Sequence, residues 1–193
     1  MREYIQKHSE KLDRVIKYGI AAILIAVAIY PKFPFLNVPG IYVSIRVEDF
    51  LILSVTLVWL ARNYASLAGL WKNPIIRAVT LFLIVTFLAT FVGIVFLHTA
   101  TFLVAMLQWG RRVEYLMGFI IGLTSIKSIK DIQFYVKCIV IVLLIVFAFG
   151  LGQKYFGAPV ITTQNEEYSK GIALRYVPGT QLVSTFAGHY DLA

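Results

Sequence analysis

The chain has 193 residues, 59% of them hydrophobic and only 15% charged, with a formal net charge of +8. Its mean hydropathy of +0.78 lies far from the balance of a soluble globular domain. That excludes an ordinary soluble enzyme and puts the excess of cations in a membrane setting, with membrane lipids as partners and no nucleic acid expected.

Apolar runs of about eighteen residues or more can cross a hydrocarbon layer of about 30 Å as helices. Backbone groups in lipid must bond within their own segment, which disfavours strands in the spans. The leader 1–17 carries Glu3, Glu10 and Asp13 and precedes no small-residue cleavage pattern, so it does not read as a signal peptide. Tyr4, Ile5, Leu12, Val15 and Ile16 recur at roughly helical spacing beside Lys7, Lys11 and Lys17. This predicts an amphipathic cytoplasmic segment over 1–14, lying on the membrane surface. A first span follows at 15–30, extended by 31–36, then a second at 48–61, and the clearest at 75–97. Residues 99–109 are too few to cross and predict an interfacial or re-entrant helix ahead of a fourth span at 110–126. The fifth span is placed at 132–152, an outer, periplasmic loop at 153–188, and the start of another helix at 184–193. The fold expected is an all-α polytopic membrane protein forming one domain, with five transmembrane helices (15–152), an interfacial or re-entrant helix and the start of a sixth span.

Short-loop Lys and Arg resist translocation. With the N-terminus inside, eleven of the eighteen fall on the inner side; Lys32, Arg46, Arg111, Arg112, Lys154, Lys170 and Arg175 fall on the outer. The N-terminus is therefore expected in the cytoplasm. The outer cations ask for an anionic partner such as a lipid phosphate. Cys138 has no second cysteine to pair with, and His8, His98 and His189 are far apart in sequence. No metal site, Gly-rich phosphate loop or nucleophile elbow is read from the chain.

Chemistry concentrates at the outer joints. Residues 31–36 and 38–40, rich in proline and aromatic rings, read as a structural cuff at the interface. In Ser44-Ile45-Arg46-Val47-Glu48-Asp49-Phe50, the two carboxylates suit a helix N-terminus and a local salt bridge to Arg46. Alternatively, Arg46 faces an outer cavity. In Trp109-Gly110-Arg111-Arg112-Val113-Glu114-Tyr115, both arginines are expected at or just below the outer headgroups, with Glu114 one turn deeper. They either snorkel to lipid headgroups or fork onto phosphate oxygens as Lys cannot. The last loop carries Glu166, Glu167, Tyr168, Lys170, Arg175, Tyr176, Thr180, Gln181, Ser184, Thr185, His189, Tyr190 and Asp191. That mixture suits gripping a sugar by stacking and hydrogen bonding, or a plain solvated loop.

At these residues the chain resembles the O-antigen ligase and polymerase family of bacterial envelope glycan transferases. The resemblance is carried by Arg175-Tyr176-Val177-Pro178-Gly179-Thr180 running into Ser184-Thr185-Phe186-Ala187-Gly188-His189-Tyr190-Asp191-Leu192-Ala193. Ile45-Arg46-Val47-Glu48-Asp49 and Arg112-Val113-Glu114-Tyr115-Leu116, at the second and fourth spans, are also similar to that family. It implies a multi-pass protein of the bacterial inner membrane, of which this chain would be the N-terminal half, inactive alone. The implied reaction is an inverting transfer at the outer face, from a glycan on an undecaprenyl-diphosphate carrier to a glycan or lipid acceptor, with no metal or other cofactor. Arg175, then Arg112, Arg46 and Arg111, would hold the diphosphate and stabilise charge on the leaving group; no catalytic residue is assigned. The alternatives are a multi-pass transporter or flippase and a non-catalytic lipid-binding scaffold. Span centres nearly free of ionisable side chains speak against transport.

Overall fold

The computed structural model describes residues 9–30, 34–36, 45–160, 174–176, 178–179 and 182–186. Among them the chain is mostly helical. The long helices are α1 (Ser9–Ile29), α2 (Val47–Asn63), α4 (Pro74–Val95), α5 (Phe102–Ser125) and α6 (Ile129–Phe156). A 3-10 turn, Tyr64–Ser66, and the single-turn α3 (Leu67–Leu70) extend α2. Strand β1 (Pro34–Leu36) pairs antiparallel with β2 (Ile45–Arg46), Pro34 standing opposite Arg46. Strands β3 (Pro159–Val160) and β4 (Leu174–Arg175) pair likewise, Pro159 opposite Arg175 and Val160 opposite Leu174.

Among the described residues, three segments are long and apolar enough to cross a membrane: Val47–Leu70, Pro74–Val95 and Ile129–Phe156. They correspond to the expected spans 48–61, 75–97 and 132–152. The other two fall short through composition. Helix α1 carries Asp13, Arg14 and Lys17 in its first half, and α5 holds Arg111, Arg112 and Glu114 in its interior.

Local chemistry sets the helix ends. Asn73 precedes α4, its side chain accepting the Ile75 N–H at 2.9 Å, and Pro74 occupies the first turn, where its missing N–H is harmless. Beyond α4, His98 takes a left-handed φ of 48°, and the Thr99 amide donates to Gly93 O at 3.0 Å. Helix α6 opens with a capping box: the Asp131 amide donates to Ser128 Oγ at 3.2 Å, and the Ser128 amide returns a bond to Asp131 Oδ2 at 3.1 Å. It closes at Gly157, whose left-handed φ of 68° favours a residue without Cβ.

The expected break between an interfacial helix and a fourth span does not occur. Residues 102–125 form one helix that runs straight through Gly110. A glycine inside a helix costs only about 1 kcal/mol relative to alanine, too little to end one anchored on both sides.

The chain divides into two compact units, Met1–Ile20 with Asp49–Ile126, and Ala21–Glu48 with Lys127–Ala193. In the first, the start of α1 runs antiparallel to α2. Arg62 forks onto Asp13, Nε to Oδ1 at 2.9 Å and one terminal nitrogen to Oδ2 at 3.3 Å. Gly19 meets Val55 where a Cβ would lie 2.6 Å from Val55 Cγ2. Helix α2 runs in the same sense as α5: Arg111 reaches Asp49 at 3.2 Å near the start of α2, and Trp59 Nε1 donates to Thr124 Oγ1 at 2.8 Å further along. Helices α4 and α5 form an antiparallel hairpin. Trp109 Nε1 donates to Leu83 O at 3.2 Å, and its ring meets Phe87 edge-on at 5.0 Å. Ile16, Ile52, Val55, Trp59, Ile76, Ile120 and Ile121 are buried.

Gly19→Ala is expected to destabilise the protein by about 1–3 kcal/mol through overpacking. Val55→Ala in the same chain should recover most of that loss. Thermal unfolding of the detergent-solubilised single and double variants checks the coupling.

In the second unit, the turn 182–186 is bonded to α6 and to the end of α1. Ser184, 1% exposed, has φ 55°. Its amide donates to Gln153 Oε1 at 2.9 Å, and its hydroxyl to Val146 O at 2.6 Å. Thr185 Oγ1 donates to Ala28 O at 2.6 Å, satisfying a carbonyl in the last turn of α1 that has no intrahelical amide to accept. The expected helix start at 184–193 is thus a turn over 184–186; residues 187–193 lie outside the described part.

Candidate functional site

Arg112 is the residue around which a site can be built. Helix α5 rises about 1.5 Å per residue, so Arg112 stands about 15 Å along it from the start at Phe102. The Trp109 bond to Leu83 sets this stretch against the middle of α4, a helix apolar enough to cross a membrane. Three charges, Arg111, Arg112 and Glu114, therefore lie in the interior of an α5 packed on an apolar span. An Arg facing lipid would be costly and belongs beside a carboxylate, water or a ligand.

The two arginines are treated differently. Arg111 is drawn onto Asp49, with the two side chains 17% and 20% exposed. Arg112 is exposed, and among the described residues no carboxylate is paired with it. It lines a groove of about 380 Å³ between α4 and α5, within the range of about 300–1,000 Å³ common for small-ligand sites. Gln108 lies one turn before it, and Thr86, Thr90 and Thr99 contribute hydroxyls. Ala89, Gly93, Ala100 and Ala105 keep the groove open by being small.

The hydroxyl hydrogens are already used: Thr86 Oγ1 donates to Leu83 O at 3.0 Å, Thr90 Oγ1 to Thr86 O at 2.8 Å, and Thr99 Oγ1 to Gly93 O at 3.2 Å. Their oxygens are left as acceptors. The groove thus combines a guanidinium and an amide, which donate to an anion, with oxygens that accept from a ligand's hydroxyls. A phosphate carrying hydroxylated groups fits that donor and acceptor set.

The other expected site residues lie elsewhere. Arg46, in the second unit, reaches Glu48 Oε1 at 3.3 Å, the side chains 12% and 6% exposed. The local salt bridge read from the sequence is therefore present for Glu48, whereas Asp49 is engaged by Arg111 across the first unit. The backbone of Arg175 belongs to β4 of the second unit; its side chain, like His189, Tyr190, Asp191 and most of the outer loop, lies outside the described part. Among the described residues no group of His, Cys, Asp and Glu is placed to hold a metal ion.

Comparison with protein-family models, with curated proteins and with solved structures finds no match. The site therefore stands on its own geometry. Sequence reasoning had singled out the arginines but not the groove partners Thr86, Thr90 and Gln108. Thr86, Thr90 and Gly93 do recur at i, i+4 and i+7 on one face of α4, a small-residue stripe that can be found by inspection. Gln153, which ties the second unit together, left no local signal.

Proposed function

We propose that this chain contributes to a multi-pass glycosyltransferase of the bacterial inner membrane, of the O-antigen ligase and polymerase type. It would take glycan from an undecaprenyl-diphosphate carrier to a glycan or lipid acceptor at the outer face. In this reading α1 and α5 also cross, giving five transmembrane helices with the N-terminus in the cytoplasm. The observation that carries the proposal is Arg112. It is an exposed guanidinium deep along α5, on a groove whose remaining polar groups suit a phosphate bearing hydroxyls. There it would bind the carrier's diphosphate and stabilise the charge that develops as the glycan leaves. The family resemblance adds Arg175 as a second contact.

The interior position of Arg112 also favours a second reading, a transporter or flippase for the same class of anionic lipid. Both readings require that the groove bind the lipid. Full-length protein in nanodiscs is expected to bind a polyprenyl-diphosphate glycan, with inorganic diphosphate competing and Arg112→Ala weakening binding about tenfold or more, or about 1.4 kcal/mol. Equal affinity in that variant refutes the site. Appearance of a glycosylated acceptor separates transfer from translocation, which leaves the donor intact on the opposite side.

A further inference from the structure

Gln153 makes an unusual set of bonds. It sits in the last turns of α6, is 2% exposed, and spends its whole amide group on backbone. Nε2 donates to Pro159 O at 3.1 Å and to Ser184 O at 2.9 Å, while Oε1 accepts the Ser184 N–H at 2.9 Å. A buried amide is costly unless bonded, and here both donor hydrogens and one acceptor site are in use. The double bond to Ser184 copies the pairing of two strands, with the side chain in place of a second backbone.

The two places it holds flank β4. Pro159 precedes it and is the residue opposite Arg175 in the β3–β4 pair. Ser184 follows it, fixed a second time by its hydroxyl on Val146 O and, through Thr185, by Ala28 O. One side chain thus ties both approaches to Arg175 to the end of α6.

We infer that Gln153 is a positioning residue, which sets where the Arg175 backbone stands against α6. The inference rests on the reading of Arg175 as a diphosphate contact for its functional meaning, but not for its geometry. A leucine of similar size fills the space and offers no bond. A glutamate does something more telling: protonated, it carries one donor beside one acceptor, and ionised it sets an oxygen in place of Nε2 against the carbonyls of Pro159 and Ser184, which repel it, while its other oxygen still accepts the Ser184 N–H.

The test uses full-length protein in nanodiscs, with Cys138→Ser and nitroxide labels at Leu144→Cys, exposed on α6, and Arg175→Cys. With Gln153 intact, electron–electron double resonance should give one narrow distance, independent of pH. Gln153→Leu should lose it. Gln153→Glu should show it in acid and lose it, reversibly, at alkaline pH; this arm serves even if the leucine variant does not fold. A distance unchanged in Gln153→Leu, or a Gln153→Glu distance indifferent to pH, overturns the inference. In unlabelled protein with Arg175 present, Gln153→Glu should raise the KM for the lipid-linked donor at alkaline pH and restore it in acid. Labels that respond while KM does not would keep the positioning role and remove Arg175 from donor binding.

Discussion

Glu48→Ala is expected to destabilise the folded protein by about 3–5 kcal/mol, the usual loss when one partner of a buried ion pair is removed. Both side chains are largely withdrawn from solvent, at 12% for Arg46 and 6% for Glu48, so loss of the carboxylate is little compensated by water. The instructive comparison is Arg46→Met with Glu48→Leu in one chain. Apolar replacement of both charges is often neutral or stabilising, so the double variant should unfold near the parent temperature while Glu48→Ala unfolds well below it. Equal melting of Glu48→Ala and the parent would show that the pair contributes nothing. Under the proposed function, glycan transfer by the folded double variant then isolates what the Arg46 guanidinium does for a donor phosphate: loss with the fold kept assigns it to the ligand, and retention assigns it to the fold.

Under the proposed function, Arg112→Ala is expected to lower glycan transfer by about 10²–10³-fold, the size of losing one donor to a developing anion. Stability should move by less than about 0.5 kcal/mol, since the side chain is exposed and carries no ion pair among the described residues. That separation of activity from stability is the point of the measurement. Arg112→Lys keeps the charge and loses the two-pronged fork, so it should recover only part of the rate. Arg111→Ala is the counter-experiment. It removes the Asp49 bond at 3.2 Å and should act mainly on melting temperature. An Arg112→Ala protein that displays glycan at the parent level, measured by immunoblot and by initial rate, would remove this residue from the site.

Much of the fold was legible because hydropathy is a local quantity. The run 75–97 matches α4 (Pro74–Val95), and 132–152 sits inside α6 (Ile129–Phe156), whose true ends are set by Ser128, Asp131 and Gly157. Helix α5 was misread for a reason that is not local. Gly110 followed by two arginines resembles an interfacial break, yet the charge of Arg111 is met by Asp49, a residue 62 positions away. A one-dimensional pattern cannot show that neutralisation, so the helix was cut where it continues. The same holds for the site. The arginines stand out by type, whereas the groove exists because small side chains of α4, α5 and the turn between them come together. Gln153 and Ser184 are ordinary polar residues until the chain brings them together across 31 positions.

The fork between Asp13 and Arg62 also governs topology. Two side chains joined at 2.9 Å share one environment, so the beginning of α1 and the end of α2 lie at the same end of the first unit. The like direction of α2 and α5, and the opposite direction of α4, carry that assignment through the first unit. A single reporter beside Asp13, scored for reach by an impermeant reagent, would thus fix the sense in which the apolar segments Val47–Leu70 and Pro74–Val95 cross a membrane.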